Sequence, residues 1–314
     1  LLGQGIRILG NGPAFTTVRR NAAAGNFGLF QLEHVNAVVA GLTALNGYGT
    51  SADPAAFKLN SGLVSNCLVT GTSGTGYWIP VGIGTSGRMT FCAVSNNATY
   101  SGAVVVSSGG VIEDSLIMLN SGVDRGGLSL SGTGRRLRIV GNGANGAYGP
   151  AGALVSGRLE NSLIASNVHP KTTYTAGVQL NGGVLLNCTV AGNSNSASST
   201  QGGGVNRTAG VITNCIIQGN FGSYGSNYVG AAGAAWYSCA PELTNAAQGN
   251  IMGNPVLRMD FRLGAASPCR NTGWSYAGAS ADLDLDRQPR VRQGAIDMGA
   301  YELLPPPGTV MLVR

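Results

Sequence analysis

Glu113 and Glu160 are the acids whose spacing comes nearest to a catalytic pair. They hold equivalent positions two repeats apart, which for stacked strands means roughly 9–10 Å. Inverting glycosidases hold their two carboxyl groups about 6.5–9.5 Å apart. Arg135 falls in the same column between them, however, and Arg136 follows Asp114 in the next column. A ladder of alternating charges accounts for that arrangement without catalysis. The other acids before residue 241 are Glu33, Asp53 and Asp124, and His34 and His169 fall in different parts of their repeats with no obvious acid partner. The reading leans away from an enzyme and assigns no catalytic residue. A polysaccharide lyase or hydrolase is the alternative.

Asp282, Asp284 and Asp286 alternate, so on an extended segment their carboxylates project to one face and could hold a structural Ca²⁺, with Asp297 or Glu302 adding oxygens. Arg287, Arg290 and Arg292 lie close by and offer the competing reading of ion-paired, turn-capping acids. No other cofactor is expected. The pattern contains no CxxC, HExxH or His cluster for zinc. Tyr77-Trp78, Tyr100, Tyr148, Tyr174, Tyr224 and Tyr228 fall mainly in turns, where aromatic rings could form a sugar-binding face.

The elements that carry these residues are set by a repeat. An asparagine returns at Asn11, Asn46, Asn97, Asn120, Asn142, Asn167, Asn193 and Asn220, with Thr72 in the one gap, at intervals of 35, 26, 25, 23, 22, 25, 26 and 27 residues. Three positions earlier stand Ile8, Thr43, Val69, Val94, Ile117, Ile139, Ile164, Val190 and Ile217, all β-branched. Five earlier stand Ile6, Gly41, Cys67, Cys92, Ser115, Leu137, Ser162, Cys188 and Cys215. Positions two apart on a strand point to the same side, so these last two columns face one interior. β-Branched residues suit pleated strands, and Asn at a strand end suits a turn with left-handed backbone. A period near 25 residues without any helical periodicity is the mark of a solenoid with short strands. The expected fold is all-β, a right-handed parallel β-helix of about nine coils. The expected divisions are the β-helix over 1–233, a C-terminal cap over 234–303, and a Pro-rich spacer with a strand-like tail over 304–314.

Composition narrows the function classes. Charged residues make up 10% and glycine 51 of 314 positions, so Asn, Ser, Thr and Gly must carry much of the surface polarity. The net charge of +6 is scattered apart from Arg19-Arg20 and Arg135-Arg136, a poor footprint for nucleic acid. No apolar run is long enough to span a bilayer. Cys67, Cys92, Cys188 and Cys215 belong to the inward column, where neighbouring rungs offer awkward disulfide geometry. Cys239 and Cys269 stand outside the repeat and are the expected disulfide, which points to an oxidising compartment. The chain begins without Met, and Leu1 to Asn11 reads as a strand of the first coil, so an upstream piece is expected to have been removed or to lie outside this sequence.

The later part of the chain carries a series of short motifs: Gly249-Asn250-Ile251, Asn254-Pro255, Phe261-Arg262-Leu263, Ser267-Pro268-Cys269 and Asn271-Thr272-Gly273. Asp284-Leu285-Asp286-Arg287-Gln288-Pro289-Arg290 and Asp297-Met298-Gly299-Ala300-Tyr301-Glu302 follow. This series resembles the C-terminal region of bacterial choice-of-anchor Q proteins. The preceding repeats, with Gly41-Leu42-Thr43-Ala44-Leu45-Asn46-Gly47 and Asn214-Cys215-Ile216-Ile217-Gln218-Gly219-Asn220, resemble the right-handed β-helix usual in that group. The resemblance implies a secreted or surface-displayed bacterial protein and no particular reaction. After Glu302 the chain departs from the anchor pattern, with Pro305-Pro306-Pro307 and then Thr309–Arg314 in place of a hydrophobic sorting helix and basic tail. Val310, Met311, Leu312 and Val313 are expected to pair with another copy, giving a head-to-tail extracellular filament or adhesive stalk. A surface polysaccharide is the second candidate partner, and a glycan-binding module the third reading of the chain.

Overall fold

The computed structural model describes residues 4–146, 148–170, 174–195, 201–222, 226–292 and 294–303. Tyr224 and the tail residues Val310, Met311, Leu312 and Val313 lie outside these. The chain winds into a parallel β-solenoid. Among the described residues the strands line up into a 15-stranded sheet, a 9-stranded sheet and a 5-stranded sheet, with a further 2-stranded ladder. Helix among them is limited to short 3₁₀ turns such as Ala22–Ala24 and Ala246–Gln248.

One coil shows how the sequence builds the turn. Val111–Glu113 and Leu116–Met118 are two strands separated by Asp114 and Ser115, and Ser121–Arg125 follows after Leu119 and Asn120. At each corner one residue is left-handed: Asp114 at φ 50° and Leu119 at φ 53°. The same two corners recur at Asn66, Phe91, Arg136, Asn161, Asn187 and Asn214, and at Asn96, Gly141, Ser166, Gly192 and Gly219. A left-handed residue turns the chain sharply without a loop, and it swings the next residue into the interior. The first corner therefore delivers the Cys/Ser column inward. Serines of this column take an N–H from the preceding coil: Cys92 N–H donates to Ser115 Oγ at 3.1 Å, Leu137 N–H to Ser162 Oγ at 3.0 Å and Cys215 N–H to Ser238 Oγ at 3.0 Å.

The second corner delivers the asparagines inward, not into the left-handed position expected of them. Asn97 Nδ2 donates to Asn120 Oδ1, Asn120 to Asn142, Asn142 to Asn167, Asn167 to Asn193 and Asn193 to Asn220, at 2.9 to 3.1 Å. The same Oδ1 atoms accept the backbone N–H of the preceding asparagine, as in Asn120 N–H to Asn142 Oδ1 at 3.1 Å. Each amide also donates to a strand carbonyl, as Asn142 does to Ile117 at 2.9 Å. A buried amide without partners costs about 1–3 kcal/mol per group; stacking identical amides at the rung spacing supplies those partners. The aliphatic column from Val69 to Ile217 packs alongside with no exposure.

The first coils correct the expected phase. Thr43 pairs with Leu68 and Ala44 with Val69, so Leu42, Ala44 and Gly47 occupy the columns assigned to Gly41, Thr43 and Asn46. Asn46 is exposed at φ 57°, a corner residue. Ile8 pairs with Val39 in the long sheet, which leaves Ile6 and Asn11 exposed and off the ladders. The long interval between Asn11 and Asn46 contains a strand of the 9-stranded sheet, Thr17–Arg19, paired with Thr43–Leu45. Asparagine suits both a left-handed corner and an interior amide stack, and spacing alone does not separate the two uses. The far end of the ladder was missed: Asn220 Nδ2 donates to Asn227 Oδ1 at 3.2 Å, and Asn227 N–H donates to Glu242 Oε1 at 3.0 Å.

Beyond residue 234 the coil continues briefly. Ala235–Trp236 pairs with Ile212 and Thr213, and Cys239 bridges both Ile216 and Ile251. The chain from about 257 to 303 then runs back along the outer face of the 9-stranded sheet. It covers Leu163 and Ala165 with Leu285, Ala300 and Tyr301, and Ile216 with Leu263, Cys269 and Met298.

Candidate functional site

The charged ladder forms as the spacing implied. Glu113 pairs with Arg135 in strand register and Arg135 with Glu160. Glu160 is held by Arg158 and by Arg135, the latter at 3.0 Å, and Glu113 by Arg88 and by Arg136, the latter at 3.4 Å. Arg136 also grips Asp114 at 2.7 Å, and this contact raises the guanidinium pKa further. Both acids of the glycosidase-like pair are thus engaged by arginines. His34 accepts the Asn36 N–H at 3.1 Å on the exposed edge, and His169 is fully buried.

The three alternating aspartates go to three separate donor sets. Asp282 Oδ2 accepts from Tyr276 OH at 2.5 Å and Asn161 Nδ2 at 2.9 Å. Asp284 Oδ1 accepts the Asp286 and Gln288 N–H groups, and its Oδ2 accepts the Glu302 N–H at 2.9 Å. Asp286 pairs with Arg138 at 3.0 Å and with Arg262 at 2.5 Å. Among the described residues no three His, Cys, Asp or Glu side chains come together as a metal-holding group.

The motifs at residues 284–290 and 297–302 meet in a buried ionic knot. Arg290 is fully buried and lies 3.3 Å from Glu302, while its donors also reach the Gly299 and Asp297 carbonyls at 3.0 and 2.9 Å. Glu302 accepts the Asp297 N–H, and Asp297 accepts the Asn271 and Leu303 N–H groups. Burial pushes the Glu302 carboxyl up to about 8, against the pull of Arg290, and raises Asp284 as well.

No family model, curated protein or solved structure matches the chain.

Cys239 and Cys269 share one apolar cluster, both as free thiols. The hydrogen bond from its neighbour, with burial second, pushes the Cys239 thiol up, and the same contact draws the Cys269 thiol down. A cleft of about 630 Å³ opens on the 9-stranded sheet beside Leu285 and Arg287 of the returning segment. Its floor is Leu68, Ala93 and Leu116, and its walls are Pro13, Phe91 and Arg287. Arg287 lies 4.9 Å over the Phe91 ring.

The turn tyrosines divide. Tyr228 is buried, its hydroxyl donating to the Ala231 carbonyl at 2.8 Å, and Tyr174 is half-buried. Tyr77 and Tyr100 meet edge to face, centroids 4.8 Å apart. Desolvation raises the Tyr100 phenol, and Asp124, Tyr77 and Tyr148 add to the rise. Beside Tyr77 a cleft of about 200 Å³ lies over the long sheet, with Asp53, Lys58 and Asn60 on its walls. Trp78 is buried behind.

Two features escaped the sequence reading. Asn161, Asn187 and Asn214 form an outer amide ladder, Asn187 donating to Asn161 at 2.9 Å and Asn214 to Asn187 at 3.0 Å. The available signal was an asparagine immediately before Ser162, Cys188 and Cys215. The full burial of Arg290 gave no signal, because an arginine in a polar stretch reads as surface.

Proposed function

We propose that this chain is a non-enzymatic structural rod of the bacterial cell surface or its surroundings, assembling head to tail into a filament or stalk. The observation that carries the reading is the stack of parallel coils, a fold whose rungs another copy can continue. Among the described residues the strand order leaves Arg7–Leu9 and Thr17–Arg19 at the outer edges of their sheets, and apolar side chains stand exposed beside them, Leu9 at 61% and Phe15 at 84%. An edge of unpaired backbone groups with apolar neighbours is a template for another chain.

The resemblance of residues 249–302 to choice-of-anchor Q proteins supports a surface location. The segment around Val310, Met311, Leu312 and Val313 is proposed to add to the contact.

Electron microscopy of the chain at high concentration tests the reading. Nine rungs in the 9-stranded sheet at ~4.8 Å give filaments with an axial rise of about 40 Å. Phe15→Glu with Leu9→Arg is expected to leave isolated short rods with an unchanged circular dichroism spectrum, and deletion of 305–314 to shorten the filaments. Only isolated rods from the unaltered chain would sink the proposal.

A further inference from the structure

We propose that the corner carrying Tyr77, Tyr100 and Tyr148, with the cleft beside Tyr77, binds an uncharged oligosaccharide. The solenoid brings these residues to one corner of successive coils. Tyr100 N–H donates to the Trp78 carbonyl at 3.1 Å, which sets Tyr100 one rung above Tyr77. Ser101 is in register with Arg125, so Asp124 is on the next rung. Asn145 N–H donates to the Gly122 carbonyl at 3.1 Å, which brings Tyr148 to the rung after that. Aromatic residues and a carboxylate thus follow one another at the ~4.8 Å rung spacing, close enough for a single short sugar chain to touch several.

The exposure of the rings is unusual for their size. Tyr77 is 67% and Tyr148 68% exposed, and the edge-to-face contact with Tyr100 holds the Tyr77 ring in a fixed plane. A rigid aromatic side chain with an apolar face and a polar tip offers contact area at low entropic cost. The C–H face of a pyranose fits such a ring, and its hydroxyls require donors and acceptors at the rim.

The cleft supplies both. Asp53 and Lys58 form an ion pair at 2.8 Å, and Asn60 lies alongside. Its floor is bare backbone at Gly82 and Gly84. A Cβ at Gly82 would stand 2.9 Å from Pro54 Cγ, and one at Gly84 would stand 2.9 Å from Asn60 Cα. The cleft holds about 200 Å³, room for one sugar unit, with Tyr77 as its wall.

Charge decides the ligand class. Among the described residues Lys58 is the one cation lining the cleft, and Asp53 already neutralises it. At the corner Asp124 and Arg125 are adjacent on one rung and offset each other, so no net charge is left there to attract a polyanion. An uncharged, hydroxyl-rich chain remains.

Isothermal titration of the full chain against cellohexaose, laminarihexaose, maltohexaose, chitohexaose and mannohexaose, with an oligogalacturonate as the acidic comparator, tests the site. At least one uncharged hexasaccharide is expected to bind saturably. Tyr77→Ala should weaken that binding at least tenfold, Tyr148→Ala several-fold, and Tyr237→Ala, away from the corner, not at all. Circular dichroism checks that each variant keeps its β-sheet signal, and Tyr77→Phe, which keeps the ring, should retain most of the affinity. Absence of binding by every uncharged probe would overturn the proposal. So would binding of the oligogalacturonate alone, or affinity unchanged in Tyr77→Ala.

Discussion

Asn214 and Trp274 exchange two hydrogen bonds across 60 residues of sequence: Asn214 Nδ2 donates to the Trp274 carbonyl at 2.9 Å, and the Trp274 N–H donates to Asn214 Oδ1 at 2.7 Å. The side-chain amide here imitates a strand partner for the backbone of the returning segment. Asn187 does similar work through Tyr276 OH at 2.8 Å, and Asn161 through Asp282. The outer amide ladder is the seam that fastens residues 257–303 to the coils. Asn214→Ala should therefore cost about 2–3 kcal/mol, the loss of the two bonds to Trp274 and the one to Asn187 with polar groups left unpaired. Hydrogen exchange should rise in 270–303 before it rises in the coils.

The inner ladder makes a sharper contrast. Asn142→Ala removes the acceptor for Asn120 and the donor to Asn167, and should cost about 3 kcal/mol in chemical denaturation. Asn46→Gly should stay within about 0.5 kcal/mol of the unaltered chain, because Asn46 is an exposed left-handed corner that glycine adopts freely. Equal effects at the two positions would contradict the difference in their roles.

Cys239 and Cys269 are neighbours whose thiols touch, so chain recovered from an oxidising compartment is expected to link them. Alkylation after denaturation would then count two thiols fewer than the six in the sequence. Closing a loop of about 30 residues should raise stability by roughly 3 kcal/mol in the chain-entropy model. Six alkylated cysteines in oxidised protein would rule the link out.

Glu302 sets a pH dependence with a definite sign. Burial raises its carboxyl from 4.5 to about 8. Between those values the folded chain keeps a proton that the unfolded chain releases, so stability is greatest at the acidic end and falls as pH rises through about 8. Asp284, also raised by burial, acts in the same direction. Hydrogen exchange in 284–303 should quicken from pH 6 to pH 9 relative to the coils, beyond the intrinsic base catalysis seen in an unstructured peptide. Glu302→Gln should flatten that trend, and a trend unchanged in the variant would assign the dependence elsewhere.

The charged ladder bears on the enzyme question through stability. Arg135→Glu would set a third carboxylate between Glu113 and Glu160 in one column, and should cost about 1 kcal/mol or more. Arg135→Gln should cost less, and the difference should shrink in high salt. Insensitivity to salt would argue against a purely electrostatic ladder.

The repeat was legible because a solenoid gives equivalent residues equivalent surroundings. Ile117, Ile139 and Ile164 meet the same neighbours on every rung, so the pattern of types and spacing carried the strands, the interior and the coil stack. The phase of the first coils was not legible, since Asn46 and Asn97 look alike in sequence while one turns a corner and the other fills the interior. The remaining features depend on contacts that do not repeat. Arg290 beside Glu302, Trp274 on Asn214, and Cys239 against Cys269 come together only when residues 257–303 fold back over the finished sheet. Tyr77, Tyr100 and Tyr148 stand 23 and 48 residues apart in sequence, and only the stacking of coils sets them around one corner. Local periodicity determined the rod; long-range packing decided what lies on its surface.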